Sequence, residues 1–248
     1  MLSPAQRHMM RVSAQQASAQ RKSDPLRSAL PYGQMLVKLR GDRLKLKSIR
    51  SVENKALHKR AMLPSYAPWV AGVLAGDAGT QDDVLMTMLQ WTLDAGDISG
   101  SFEMARYALK YGLSVPHNQR PVGYLYAEDV ALAAMRAFKT GEPVAASDLL
   151  TVIEMTLTAD MPDEVRAKLH KITGLVLRAD QQPKQALAHL SRAMQLDINT
   201  GVKKDIERLE RELKPVLPAA AAKPKAAPSA RKVKPKMAPA RRGRPRKV

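Results

Sequence analysis

The sequence predicts an all-α fold, and three observations lead there. The middle of the chain is rich in Leu, Ala and Met and lacks the apolar–polar alternation of half-buried strands. Its apolar residues recur at helical spacing, and Gly or Pro stands where one periodic stretch gives way to the next. Nothing in the pattern calls for a sheet.

The elements follow in chain order. Residues 1–24 are polar and rich in Gln, Ala and Ser, and are expected to form a mobile arm. Pro25 and Pro31 bracket a short turn, and residues 34–63 then read as helical. Met35, Leu36, Leu39, Leu46, Ile49 and Leu57 are the apolar positions of that stretch, and Gly41-Asp42 is a point where it can break in two. Ala67 to Ala75 is apolar. Asp83 to Asp94 is apolar nearly all round (Val84, Leu85, Met88, Leu89, Trp91, Leu93), the mark of a buried helix. Gly96 and Gly100 punctuate the next loop, with Asp97 and Ser99 as capping residues. Phe102, Ala105, Ala108 and Leu109 define a helix that Gly112 and Pro116 close. Further helices are expected from about Ala127 to Lys139 and from about Ser147 to Thr158, the latter with Leu149, Leu150, Ile153 and Leu157 on one face. Asp160-Met161-Pro162-Asp163-Glu164 reads as a helix start with Asp160 as cap and acids in the positive first turn. Val165, Leu169, Ile172 and Val176 give that helix its apolar stripe, and Gln181-Gln182-Pro183 ends it. Ala186, Leu187, Leu190, Ala193 and Met194 mark the next. The last, Val202 to Leu213, has a thin stripe of Ile206, Leu209 and Leu213, suited to a terminal capping helix or a short coiled-coil contact.

Two helical hairpins suggest a repeat. Gly174, Leu177, Ala186, Leu190 and Ala193 sit at the offsets where tetratricopeptide hairpins place Gly, Tyr, Ala, Phe and Ala. Residues 83–111 match more loosely through Ala105 and Leu109. Ordinary antiparallel hairpins explain both pairs equally well.

Charge divides the chain into three. The 248 residues carry 41 Lys+Arg against 23 Asp+Glu, a formal net charge of +18. Residues 1–63 hold 14 basic and three acidic residues, a net +11, and read as a basic arm with basic helices that bind DNA. Lys38, Arg40, Arg43, Lys45, Lys47, Arg50, Lys55, Lys59 and Arg60 are the cations of those helices, opposed by Asp42 and Glu53. A helix-turn-helix is compatible with the segment, but no recognition helix can be placed in it. Residues 64–214 are net −4 and form the helical core, assigned to oligomerisation and partner docking. Residues 215–248 hold 11 basic residues and no acid, and 27 of the 34 are Ala, Pro, Lys or Arg. Such a tail cannot bury enough apolar surface to offset chain entropy and is expected to be disordered.

Several classes drop out. No run approaches the roughly 18–20 apolar residues of a membrane helix. The first eight residues, through His8, hold no apolar h-region, so no secretory signal is expected. Zero Cys excludes disulfides, thiolate zinc sites and a cysteine nucleophile. His8, His58, His117, His170 and His189 show no metal-ligand spacing and read as surface or boundary residues. There is no phosphate-binding Gly-rich loop with Lys, which argues against an ATPase. For a two-metal nuclease the carboxylates worth naming are Asp82 and Asp83, with Asp94, Asp97 and Glu103 beyond them.

The sharpest local motif is Arg242-Gly243-Arg244-Pro245-Arg246-Lys247, which is similar to an AT-hook. Gly lets the backbone sink into a narrow groove, Pro holds the chain extended, and the two core Arg follow the electronegative floor of an A·T-rich minor groove. The remaining tail cations bind phosphate diffusely, with steep salt dependence. Clustered aromatics for single-strand stacking are lacking in the basic segments, so the expected partner is double-stranded DNA.

Longer strings carry a family resemblance. They are Ser3-Pro4-Ala5-Gln6-Arg7-His8-Met9-Met10-Arg11, Gln34-Met35-Leu36-Val37-Lys38-Leu39, Gln81-Asp82-Asp83 and the stretches 105–113 and 159–175, completed by residues 201–214 and the Arg-Gly-Arg-Pro tail. Through them the whole chain resembles the small terminase subunit of temperate, contractile-tailed, cohesive-end phages. The resemblance implies recognition of the packaging site (cos) on concatemeric phage DNA in the host cytoplasm. It further implies recruitment of a large terminase subunit that carries the ATPase, and assembly as a homo-oligomer. Members are often labelled the endonuclease subunit, yet no residues here form a nuclease pattern. No cofactor is expected for this subunit, with Mg2+ required only on the alternative reading of an intrinsic endonuclease making the staggered cos cut. A third reading is a nucleoid-like protein that coats A·T-rich DNA without a specific site.

Overall fold

The structure, a computed structural model, describes residues 2–23, 29–116 and 118–214. Among them lie eleven α-helices and no strand, as the periodicity predicts. The Arg242–Lys247 motif, the expected tail disorder, Pro25 and His117 fall outside the described residues.

The first departure is at the N-terminus. In place of a mobile arm there is a 20-residue helix, α1 (Pro4–Ser23). Ser3 Oγ accepts from the Gln6 N–H while Gln6 Oε1 accepts from the Ser3 N–H, a reciprocal cap that starts it. Its buried face is small: Ala14, Ala17 and Ser18 lie against α4 (Ala67–Gly76). A Cβ at Gly72 would collide with the Arg11 carbonyl oxygen and stand 2.7 Å from the Ala14 Cβ. Small residues on both helices replace large apolar ones as the means of packing, so a hydrophobicity scan misses the contact.

The second departure is in the basic helices. Gly41-Asp42 does not break the chain; α2 (Ala29–Ser48) runs through it. Met35, Leu39, Asp42 and Leu46 are buried at i, i+4, i+7 and i+11, so Asp42 belongs to the inward face rather than to the solvent. The break comes later, at residues 49–51, where Ser51 accepts from the Asn54 N–H and opens α3 (Val52–Met62). No residue of α3 is buried, and Leu57, expected on an apolar face, points outward.

The centre is α5 (Asp83–Asp94), buried on nearly every side as its sequence predicts. α2, α3, α4, α6 (Phe102–Tyr111) and α7 (Val122–Thr140) all touch it. α7 begins five residues before the expected Ala127, because Pro121 leads directly into it and Val122, Gly123, Leu125 and Tyr126 are buried. α8 (Ala146–Met155) and α9 (Asp163–Ala179) pack on α7. Leu157 falls beyond the end of α8 and is exposed. Pro162, not Asp160, stands at the N-cap of α9, so the expected side-chain cap is absent; Asp163 and Glu164 do occupy the first turn.

α9 and α10 (Pro183–Leu196) form a tight antiparallel hairpin. Gly174, Leu177, Ala186, Leu190 and Ala193 are all buried, and a Cβ at Gly174 would lie 2.7 Å from Leu190 Cγ. α11 (Lys203–Leu213) lays Ile206 and Leu209 on the hairpin, with Arg178 bonded to Asp205 at 2.9 Å. Its thin stripe is thus used within the chain.

Candidate nucleic-acid interface

Helix α2 is anchored to the body by aromatic and polar contacts. Tyr32 stacks on Trp69, with ring centroids 6.1 Å apart, and its hydroxyl accepts from the Asp83 N–H at 3.0 Å. Asp42 accepts from Tyr66 Oη at 2.8 Å, Lys38 Nζ at 3.0 Å and Lys45 Nζ at 2.9 Å. Burial alone would raise the Asp42 carboxyl, but hydrogen bonds from Lys45, Lys38 and Tyr66 outweigh it and hold the group at about 2.

The nine cations expected to meet phosphate separate into two sets. Lys38, Arg43, Lys59 and Arg60 have work inside the fold. Lys38 also bonds Ser65 Oγ and sits 3.4 Å from the Tyr66 ring centroid. Arg43 donates to Thr87 Oγ1 at 2.7 Å. Lys59 pairs with Asp94 and Arg60 donates to the Ala95 carbonyl, so both tie α3 to the end of α5. Arg40, Lys45, Lys47 and Arg50 face solvent at the C-terminal half of α2 and its junction with α3, and Lys55 is half-exposed on α3. Arg40 and Lys47 share a face of α2 at i and i+7, whereas Lys45 is held to Asp42. A helix presenting cations in this way has the means to lie against a duplex backbone.

The candidate nuclease carboxylates have local duties instead. Asp82 is fully buried, caps α5 through the Leu85 N–H at 2.9 Å, and accepts from the Trp69 indole at 3.3 Å. Asp83 takes a bond from Gln81 Nε2, Asp97 closes its own loop on the Gly100 N–H, and Glu103 pairs with Arg106. With Asp94 on Lys59, the five do not converge, and among the described residues no three His, Asp or Glu form a metal-sized group.

Two titratable features escaped the sequence reading. His170 and His189 meet across the α9–α10 hairpin with their Nδ1 atoms 3.0 Å apart. Burial, then His189, Arg192 and Arg166, pushes His170 down to about 4, and burial also lowers His189. The 19-residue separation hides this pair from any spacing rule for metal ligands. Asp129 on α7 is pushed up to about 6, first by burial and then by Asp94 and Glu128.

The phage small terminase subunit family model matches residues 36–164. The chain belongs to that family. The terminase, endonuclease subunit of Escherichia phage P2 is 58% identical to it over 248 residues, covering 100% of this chain and 99% of that protein. No solved structure matches the chain. The resemblance carried by the sequence strings is therefore correct at the level of the family, and this small terminase subunit has a role in phage DNA packaging. The matched segment runs from α2 to the first turn of α9, and so takes in the basic helices and the central helix of the small subunit. Among its described residues no helix is long and apolar enough to cross a membrane.

Proposed function

We propose that this small terminase subunit binds the packaging site of concatemeric phage DNA in the host cytoplasm and recruits the large ATPase subunit to it, working as a homo-oligomer. The carrying observation is the split among the basic residues: Arg40 and Lys47 remain exposed on one side of α2, with Arg50 exposed at its junction, while Lys38, Arg43, Lys45 and Lys59 are bonded within the fold. The acid-free segment 215–248, with Arg242-Gly243-Arg244-Pro245-Arg246-Lys247, supplies a second and independent grip on the duplex. In this division α2 fixes register and the tail adds salt-sensitive affinity. Neither grip needs a cofactor.

Deleting residues 215–248 is expected to weaken binding to phage end-region DNA and to flatten its salt slope while leaving helicity unchanged. Replacing Arg40, Lys47 and Arg50 together with Gln is expected to erase the footprint at the packaging site. An unchanged footprint in the triple variant contradicts the role given to α2.

The name of the phage P2 relative favours a second reading, in which this chain cuts the site itself with Mg2+. Incubating the purified protein with packaging-site DNA and Mg2+, without the large subunit, separates the two. Site-specific nicking that Asp83→Ala abolishes supports the endonuclease; intact DNA supports the adaptor.

A further inference from the structure

Helix α3 stands off the body. With Val52 69% and Leu57 55% exposed and no residue buried, it is held to the end of α5 through Lys59 and Arg60. Between α3 and the C-terminal half of α7 lies a cleft of about 590 Å3, within the roughly 300–1,000 Å3 that receives a ligand or a few large side chains. Its floor is Leu93, Ala95, Ala133 and Ala137, and one wall is Val52, Ala56 and Leu57. Alanines on the floor allow another helix to approach closely, toward the lower end of the usual interaxial distance of about 8–10 Å. The rim is different in kind: Lys55 on α3 and Arg136 and Lys139 on α7 outnumber Glu53 and Glu142, and Lys59 and Asp94 pair with each other, so the edges of the apolar floor are net positive.

An apolar trough between basic edges is complementary to a helix with an apolar ridge between acidic edges. A duplex is a poorer occupant, because it has no apolar ridge to fill the floor. A second copy of this chain is poorer too. Its most acid-rich helix, α11, already buries Ile206 and Leu209, and balances its acids with Lys203, Lys204, Arg208 and Arg211. We propose that the α3–α7 cleft is the docking site for an acidic amphipathic helix of the large terminase subunit. This rests on the reading that the protein recruits that subunit, and it gives the recruitment an address and a chemistry.

The test uses the full chain, the purified large subunit of the same phage and packaging-site DNA. Ala137→Trp fills the floor. Leu57→Glu combined with Arg136→Glu changes exposed positions alone, so it keeps the experiment decisive if the filled variant misfolds. Both are expected to weaken association with the large subunit by about tenfold or more, with DNA binding within about twofold of the parent. If the parent binds the large subunit and both variants bind it equally well, the docking site lies elsewhere while recruitment stands. If the parent itself does not bind the large subunit, recruitment and the cleft assignment fall together. Loss of DNA affinity with large-subunit binding intact makes the cleft a phosphate groove and overturns the assignment.

Discussion

The α9–α10 and α2–α3 pairs are each joined by three residues, at 180–182 and 49–51, yet they are held in different ways. In α9–α10 the helices close directly on one another, with Leu190 over Gly174 and the small residues Ala186 and Ala193 beside it. In α2–α3 each helix is fastened separately to α5 and its neighbours, through Asp42–Tyr66, Arg43–Thr87 and Lys59–Asp94. The first pair is a packed joint. The second combines a buried stripe on α2 (Met35, Leu39, Leu46) with polar moorings to neighbouring elements, and it leaves one side of each helix open, which is what a binding surface needs and a core does not. Burial is non-directional and strong in sum, whereas half-exposed ion pairs fix position with little energy.

Three measurements test that contrast, in falling order of effect. Leu190→Ala should cost about 3 kcal/mol in urea denaturation, because a cavity opens beside a glycine that cannot fill it. A loss under about 1 kcal/mol would mean that the hairpin is not the packed joint described.

Acid should separate the regions next. His170 is held neutral, so its contribution is complete above its unfolded value near 6.5, falls as pH drops, and levels off near 4. The full shift corresponds to about 3 kcal/mol, and solvent screening of the partly exposed ring brings the expected loss to about 2 kcal/mol across that window. Asp42 keeps its contribution throughout and yields it only as pH falls from about 4 toward 2. Asp129 runs the other way, since a carboxyl raised to about 6 is relieved of buried charge as pH falls through 6. Global melting therefore mixes opposite signs. Hydrogen exchange at pH 5 in an Asp129→Asn background should show α9–α10 opening more readily than at pH 7 while α2 stays protected. Equal acceleration in both would erase the distinction.

The smallest effect belongs to Lys59→Ala, expected to cost about 1 kcal/mol or less because Asp94 is partly exposed and solvent screens the pair. Exchange of α3 amides should nonetheless rise well before that of α10.

The same contrast sets what the sequence could show. Apolar residues at helical spacing gave α5, α9, α10 and α11 nearly in place, because Val165, Leu169, Ile172 and Val176 face one way in any straight helix. α1 was illegible, since Ala14, Ala17 and Ser18 signal a close approach only once Gly72 is opposite them. Asp42 misled in the same manner: a carboxylate beside a glycine reads as a break until Tyr66, 24 residues away, supplies its partner. The division of the nine cations was equally hidden. Composition counts Arg43 and Lys47 alike, and only the fold gives one of them Thr87.

The meeting of α1 and α4 has a consequence for how this chain can vary. Positions 14 and 72 share one small volume, so the size allowed at either depends on the other. Any side chain at 72 requires the N-terminal helix to move out as a body, taking Ser18 away from Thr80. Drift is thus one-sided: a glycine at 14 relieves the contact with its Cβ but not the collision with the Arg11 carbonyl oxygen, so 72 stays glycine while the N-terminal helix keeps its seat. A lineage that enlarges both should also be one in which the N-terminal helix has a new seat.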